Sequence, residues 1–385
     1  MSLQNNAIHF NFFKNKEFNE FYLSVFLMTF GQSLISVFVP IYFYNNGFAI
    51  SQILFFYFLV SLYFLFFSYI GAKIVSYIGE KHSILLSTPF LIIYYLGLIF
   101  INEYSFLFLI LPLFLSLRMI LFNYGYHLNF INHSNKKKRG KEIATFGIIS
   151  LLATIFAPFI GSLFAKTNFN IVFILSSVLI SFGTIPLFFS KDKFEKINFS
   201  LTVVFKDIFS KKNIGNLISF SSYAIESIIG RVLWPIFLII ILGTIKKTGF
   251  LISLSLLSSL LIFYFIGNLT DKINKIKLLK IGTFLYFLSW IFRIFANSTL
   301  KIFIIDSYKN VSEKILHIPW SAHSYDLAKR TNYFEFIVLR EIIFNFARII
   351  IFPILMLIFY IDFYPFITSF LIASLFSLGY MLIKK

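Results

Sequence analysis

The 385-residue sequence predicts an all-α polytopic membrane protein, with twelve transmembrane helices in two pseudo-symmetric six-helix bundles. Three observations predict it. Hydrophobic residues make up 58% of the chain and charged residues 13%, with a mean hydropathy of +0.85, whereas a soluble chain carries about a quarter charged residues. Apolar runs of about 20 residues, enough to cross a bilayer at 1.5 Å per residue, recur from one end to the other. They are continuous instead of alternating, which argues against a β-barrel. The third observation is that the basic residues between the runs are one-sided.

The spans follow in order. The first 20 residues are polar or mixed and show no cleavage signal, so the run 21–44 is expected to act as its own insertion signal. Spans 51–75 and 83–101 come next, then 104–130 after Asn102 and Glu103. Span 142–165 follows a basic run, and span 170–189 follows Lys166 and Asn168. A basic, polar stretch at 190–213 precedes spans 214–242, 248–266, 278–297, 299–325, 334–361 and 363–383. The expected organisation is an N-terminal six-helix bundle at 1–189, a cytoplasmic linker at 190–213 and a C-terminal six-helix bundle at 214–385.

With these spans, and with Lys73 and Lys280 at their ends counted with the adjoining loops, 23 of the 34 Lys and Arg lie in the termini and the loops on their side, against four (Lys166, Lys246, Lys247 and Lys301) opposite. That asymmetry places both termini in the cytoplasm and the chain in the cytoplasmic (inner) membrane. It also explains the net charge of +18 as topology, so nucleic acid is not an expected partner. The expected partners are the lipid bilayer and a small-molecule solute, with the chain acting as a monomer. Lys136, Lys137, Lys138, Arg139 and Lys141 form a run suited to anionic headgroups. There is no cysteine, which excludes disulfides and thiolate metal sites. No cofactor or metal is expected beyond a coupling ion, a proton or another.

The two halves match at a nearly fixed offset. Pro40 answers Pro235, Thr88 answers Thr283 and Pro158 answers Pro353, each 195 residues on, and His127 answers His323 at 196. Several matches at one spacing near half the chain indicate duplication, a signature of secondary transporters.

The loop after the eighth span reads Gly267-Asn-Leu-Thr-Asp271-Lys272-Ile-Asn-Lys, and the loop after the second carries Ala72, Ser76, Gly79 and Lys81 at the same offset. The fifth span contains Ala157-Pro158-Phe-Ile-Gly161-Ser162. On these residues the chain resembles the major facilitator superfamily, whose loop between spans 2 and 3 reads approximately G-x-L-a-D-r-x-G-r-k and often recurs between spans 8 and 9. The second copy keeps Gly267, Leu269, Asp271, Lys272 and Lys275, with Asn274 at the second glycine. The first keeps Gly79 and Lys81, with Ala72 and Ser76 at the leading glycine and the aspartate. The element at Pro158 and Gly161 is similar to G-P-x-x-G-G of antiporters in the superfamily, without its leading glycine. The eleventh span, with Arg340, Glu341, Asn345 and Arg348, looks like bacterial members. The resemblance implies the superfamily fold, a cytoplasmic latch formed by the Gly–Asp–Lys loops, and a central cavity lined by spans 1, 4, 7 and 10.

Ionisable groups within spans are the other informative set, because each costs about 2.5–3.5 kcal/mol at a helix centre. Asp306, Lys309 and Glu313 share one face of span 10, and Glu341, Asn345 and Arg348 share one face of span 11. Glu313 and Arg348 lie at similar depth, so an interhelical pair between them is expected, serving either packing or transport. Glu226 and Arg231 in span 7 point about 140° apart at 3.6 residues per turn and are each expected to seek partners on other helices. Arg118 in span 4 and the neutral Gln32 in span 1 complete the candidate solute and proton pathway. Arg293, near the outer end of span 9, is expected to snorkel to the interface.

These features point to a secondary active transporter of a small organic solute, working by alternating access and coupled to protons, with efflux favoured by the Pro158–Gly161 element. An uptake symporter or an uncoupled facilitator stays open on the same residues. A membrane-embedded enzyme would need a catalytic constellation such as H-E-x-x-H or G-x-S-x-G, which the sequence lacks. A receptor or scramblase on this fold would retain activity after neutralisation of the charges in spans 7 and 10.

Overall fold

The computed structural model describes residues 16–133, 139–189, 196–197, 200, 213–260, 262, 265–266, 269–270, 274–328 and 332–383. In chain order they form α1 (Lys16–Ile35), α2 (Phe38–Asn45), α3 (Ile50–Ile99), α4 (Leu107–His133), α5 (Arg139–Ala165) and α6 (Phe169–Phe189). After 213 come α7 (Ile214–Ile228), a π-helical turn (Ile229–Leu233), α8 (Trp234–Leu242) and α9 (Ile245–Leu257). The chain continues as α10 (Lys275–Arg293), α11 (Thr299–Ala328), α12 (Tyr333–Ile361) and α13 (Pro365–Ser377), ending in a 3-10 turn (Leu378–Leu382). No strand occurs among the described residues. Seven of these segments are long and apolar enough to cross a membrane.

The second and third expected spans are not separated by an irregular loop. They run as one 50-residue helix, α3, interrupted only at Gly79, where φ is 79° and ψ is 174°. That backbone region is essentially restricted to glycine. The rings of Phe56 and Tyr94 lie 6.4 Å apart, although a straight helix would separate residues 38 apart by about 57 Å. The helix therefore folds back on itself at Gly79. Helical hydrogen bonding on both sides of one glycine replaces the loop expected between the spans 51–75 and 83–101. Gly267, Asp271 and Lys272, the second copy of the loop motif, lie outside the described residues.

The first span is broken as α1 and α2 at Ser36 and Val37, and the seventh is widened into a π-turn around Arg231. The cause is the same. Proline has no N–H, so the carbonyl four residues before it loses its helical donor. Ser36 stands four residues before Pro40, and Arg231 four before Pro235. The 195-residue offset thus joins two helix defects as well as two prolines.

Polarity is arranged inside out. Phe66, Phe188, Phe189, Leu300 and Tyr360 present most of their surface outward, as a hydrocarbon solvent permits. Arg118, Glu226, Arg293, Asp306, Arg340, Glu341 and Arg348 are buried inside. Small residues bring the helices together. A Cβ on Gly161 would overlap the Leu34 carbonyl, so this glycine sets the approach of α5 to the first span. A Cβ on Gly249 would lie 2.5 Å from the Pro158 carbonyl and press on Ser162. Pro158 and Gly161, expected as an antiporter element, are at minimum the contact surface of α5 with α1 and α9.

Gly161→Val is expected to destabilise the protein by about 1–3 kcal/mol through overpacking, read as a lower unfolding temperature by tryptophan fluorescence in detergent. Gly230→Ala, whose Cβ makes ordinary contacts with Trp290 carbons at 3.4 and 3.5 Å and with Arg293 Nη1 at 4.0 Å, serves as the control. Equal unfolding temperatures for the two variants would show that α5 is not fixed by this contact.

Candidate solute-binding site

A cavity of about 490 Å³ lies within the bundle. Gln32, Ser36, Tyr57, Tyr94, Tyr95 and Met119 line it from α1, α3 and α4 and the break in the first span. From the second half come Arg231, Trp234, Arg293, Asp306, Lys309 and Arg348. A second chamber of about 220 Å³ adjoins it towards the ends of α4, α11 and α12 that lead into the basic loops. Asn123, His127, Tyr223, His317, Trp320, Tyr325, Arg340 and Glu341 line that chamber, and Met119, Arg231 and Arg348 are common to both. The two prolines contribute directly, because the helix defects they cause turn Ser36 and Arg231 towards the larger chamber, where both are exposed.

The expected pathway residues sort into distinct networks. Arg118 donates to Gln32 Oε1 at 2.7 Å and stacks 4.2 Å from the Phe122 ring centroid, holding Gln32 at the cavity wall. Lys309 Nζ lies 2.9 Å from Glu313 Oε2, one turn along α11, and Lys314 lies 3.4 Å from the same oxygen. The expected Glu313–Arg348 pair is not formed. Depth alone placed them together, but Lys309 sits on the same helix face and takes the carboxylate first. Arg348 instead donates to Asn345 Oδ1 at 3.3 Å, and Asn345 donates to the Glu341 carbonyl at 2.9 Å, so the shared face on α12 is present. Glu226 does seek another helix, though its partners are hydroxyls: Tyr286 donates to Oε2 and Tyr380 to Oε1, each at 2.8 Å. Arg231 finds its hydrogen bond on its own helix, to the Tyr223 hydroxyl at 3.1 Å.

Arg293 corrects the sequence reading. It does not snorkel. Its guanidinium is 1% exposed, lies 4.1 and 4.3 Å from the ring centroids of Trp234 and Trp290, and donates to Asp306 at 3.2 Å. Two indole faces attract a desolvated cation, and the carboxylate compensates its charge. The i, i+3 spacing of Trp290 and Arg293 was a signal in the sequence, but Trp234 lies 59 residues away and carried none.

Towards the basic loops the two halves are tied directly. His127 Nδ1 lies 2.6 Å from the Tyr325 hydroxyl, and the Phe130 and Tyr325 ring centroids lie 4.6 Å apart in a tilted contact. Asn123 donates to Glu341 Oε2 at 3.1 Å, while Arg340 lies 3.2 Å from Oε1. Asn123 and Tyr325 were not anticipated, since an uncharged polar residue in a span gives no depth or charge signal. Of the expected latch, Gly79 and Lys81 are described, with Gly79 serving as the α3 fold-back.

No family profile matches the sequence, and no curated relative does. Among solved structures, a crystal structure of nucleoside transporter NupG superposes with a TM-score of 0.69 at 13% identity, covering 96% of this chain and 98% of that chain. The chain shares the fold of that transporter structure. The likeness runs over nearly the whole of both chains, and the cavity occupies the interior of that shared fold.

Asp306→Leu is expected to cost about 3–5 kcal/mol, because it leaves Arg293 buried and uncompensated. The double variant Asp306→Leu/Arg293→Met should recover most of that loss. Thermal unfolding of the two single variants and the double in detergent measures the coupling, and additive losses would show that the pair does not act as a unit.

Proposed function

We propose that the chain is a secondary active transporter of a small organic solute, not an enzyme, working by alternating access and coupled to protons. The observation that carries this is the 490 Å³ cavity, lined by charged and aromatic side chains from both halves and enclosed by an apolar exterior. Its size falls within the range of about 300–1,000 Å³ typical of small-molecule sites. In this reading twelve spans form two six-helix bundles, 1–189 and 214–385, joined by 190–213 and related by the 195-residue repeat. The fold-back at Gly79 divides α3 into the second and third spans. The basic loops, with both termini, face the cytoplasm of a bacterial inner membrane, and the His127–Tyr325 and Asn123–Glu341 ties form the cytoplasmic barrier. Superfamily membership rests on the shared fold together with the loop motif. The nucleoside specificity in the name of NupG is not carried over at 13% identity. Export is favoured over uptake by the Pro158–Gly161 element.

Glu226 is the favoured proton carrier. Its oxygens are held by two tyrosine hydroxyls, and among the described residues no cation stands within ion-pair range. Glu313, by contrast, is neutralised by Lys309 and Lys314. The Tyr380 hydroxyl also lies 3.5 Å from His317 Nε2, which faces the second chamber, so a hydrogen-bonded route connects Glu226 to the solute path.

In liposomes carrying an internal pH dye, a transported compound should trigger proton flux. Glu226→Gln should abolish the pH signal while counterflow of the compound persists, and Glu313→Gln should impair both by releasing Lys309. Compound movement without a pH signal in the unmodified protein would make it a facilitator and return Glu226 to a packing role.

A further inference from the structure

We infer that the transported solute is an organic anion, whose carboxylate or phosphate group is clamped between Arg231 and Arg348 at the neck joining the two chambers. The inference rests on the transporter reading and deepens it by assigning a substrate class. Its basis is the charge left over after each acid is matched. Asp306 is matched by Arg293, Glu313 by Lys309 and Lys314, and Glu341 by Arg340. Both oxygens of Glu226 accept from tyrosines. Arg118, Arg231 and Arg348 then remain; Arg118 is held by Gln32 and the Phe122 ring, whereas Arg231 and Arg348 line both chambers and, among the described residues, have no carboxylate within ion-pair range.

Their hydrogen bonding is also incomplete. A guanidinium has five N–H donors, yet Arg231 makes one side-chain bond, to Tyr223, and Arg348 one, to Asn345. Arg348 is 5% exposed and its Nε is buried without a partner. A buried, unpaired cation is costly, and two lining the same neck repel each other as well. A bound anion removes both penalties by accepting two or more charge-assisted bonds in the fork geometry that guanidinium favours. The π-helical turn reinforces this reading, since such turns recur at functional sites and this one carries Arg231.

The walls specify the rest of the molecule. Tyr57, Tyr94, Tyr95 and Trp234 face the larger chamber, and Tyr223, Trp320 and Phe344 the smaller. An apolar or aromatic body attached to one anionic group fits both features. Free inorganic anions would satisfy the arginines but leave these walls without a contact.

The three tryptophans of the chain, Trp234, Trp290 and Trp320, line the chambers or stack on Arg293, so their fluorescence reports binding. The detergent-purified full chain would be titrated with benzoate, phenyl phosphate, benzyl alcohol, benzylamine and inorganic phosphate. Benzoate or phenyl phosphate is expected to change the fluorescence and raise the unfolding temperature, with at least a tenfold weaker effect of the alcohol and the amine. Arg231→Gln and Arg348→Gln should each weaken the anion response tenfold or more, Arg348→Lys should retain part of it, and the distant Lys166→Gln should leave it intact. Unliganded unfolding temperatures identify any variant that fails to fold, and the Lys variant then carries the test. An equal response to the amine or alcohol, an anion response indifferent to both arginines, or no response to either aromatic anion would overturn the assignment. A response to inorganic phosphate alone would do so too. Flux of the bound anion into liposomes separates the two readings. Arginine-dependent binding without flux contradicts transport and leaves the anion site standing, whereas arginine-independent flux of a cation contradicts the anion site and leaves transport standing.

Discussion

A charged side chain at the centre of a membrane helix costs about 2.5–3.5 kcal/mol even on the mildest scales, and that cost organises the interior of this protein. Where a charge only has to be tolerated, the structure supplies a partner at short range. Asp306 meets Arg293 between two indoles, Glu313 meets Lys309 one turn away, and Glu341 meets Arg340 and Asn123. Among the described residues, the span charges left without an opposite charge lie on the cavities or beside them, with Arg118 holding Gln32 at the wall of the larger one. Arg231 and Arg348 stand at the neck between the chambers, and Glu226 reaches the second chamber through Tyr380 and His317. The paired charges and those on the cavities are therefore distinguished by what they are bonded to, since their depth is similar.

Helix defects position the same site. Two prolines, 195 residues apart, deprive Ser36 and Arg231 of their helical donors, and both positions open onto the larger chamber. Both of these segments thus present an irregular turn to the cavity. One carries a hydroxyl and the other a guanidinium. Backbone irregularity at membrane depth is tolerated where it lines a polar cavity instead of lipid, which is where these two turns sit. Elsewhere the packing is close: Gly161 and Gly249 let backbones meet, leaving little room for movement within those contacts.

Much of this was legible in the sequence, for reasons tied to range. Hydropathy marks the helices because every backbone group in a bilayer must be bonded within its own segment. The shared face of Asp306, Lys309 and Glu313 follows from helical spacing, and so does that of Glu341, Asn345 and Arg348. Contacts between helices were not legible. Arg293 looked interfacial because its depth was visible and Trp234 was not, and Glu313 was matched to Arg348 because the competing Lys309 was weighed only as a neighbour on the same face. Gly79 stood out as a motif glycine, yet its role as the sole interruption in a 50-residue helix depends on a backbone conformation that composition does not reveal. Asn123 and Tyr325 gave no signal, since uncharged residues cost too little in a span to mark a position.

The absence of cysteine provides the most direct measurement. Ser36 lines the larger chamber and Ser321 lines the smaller one towards the basic loops, so single Ser36→Cys and Ser321→Cys variants place a unique thiol at each end of the path. In sealed vesicles of defined orientation, a membrane-impermeant maleimide applied from either face would report access. Alternating access predicts that Ser36→Cys, on the cavity that opens to each side in turn, is labelled from either face, while Ser321→Cys is labelled from the face bearing the basic loops. Labelling of Ser36→Cys from one face alone would show a cavity that never changes sides, and labelling of neither thiol from any face would mean that the polar interior is a sealed packing core; both results contradict a transporter.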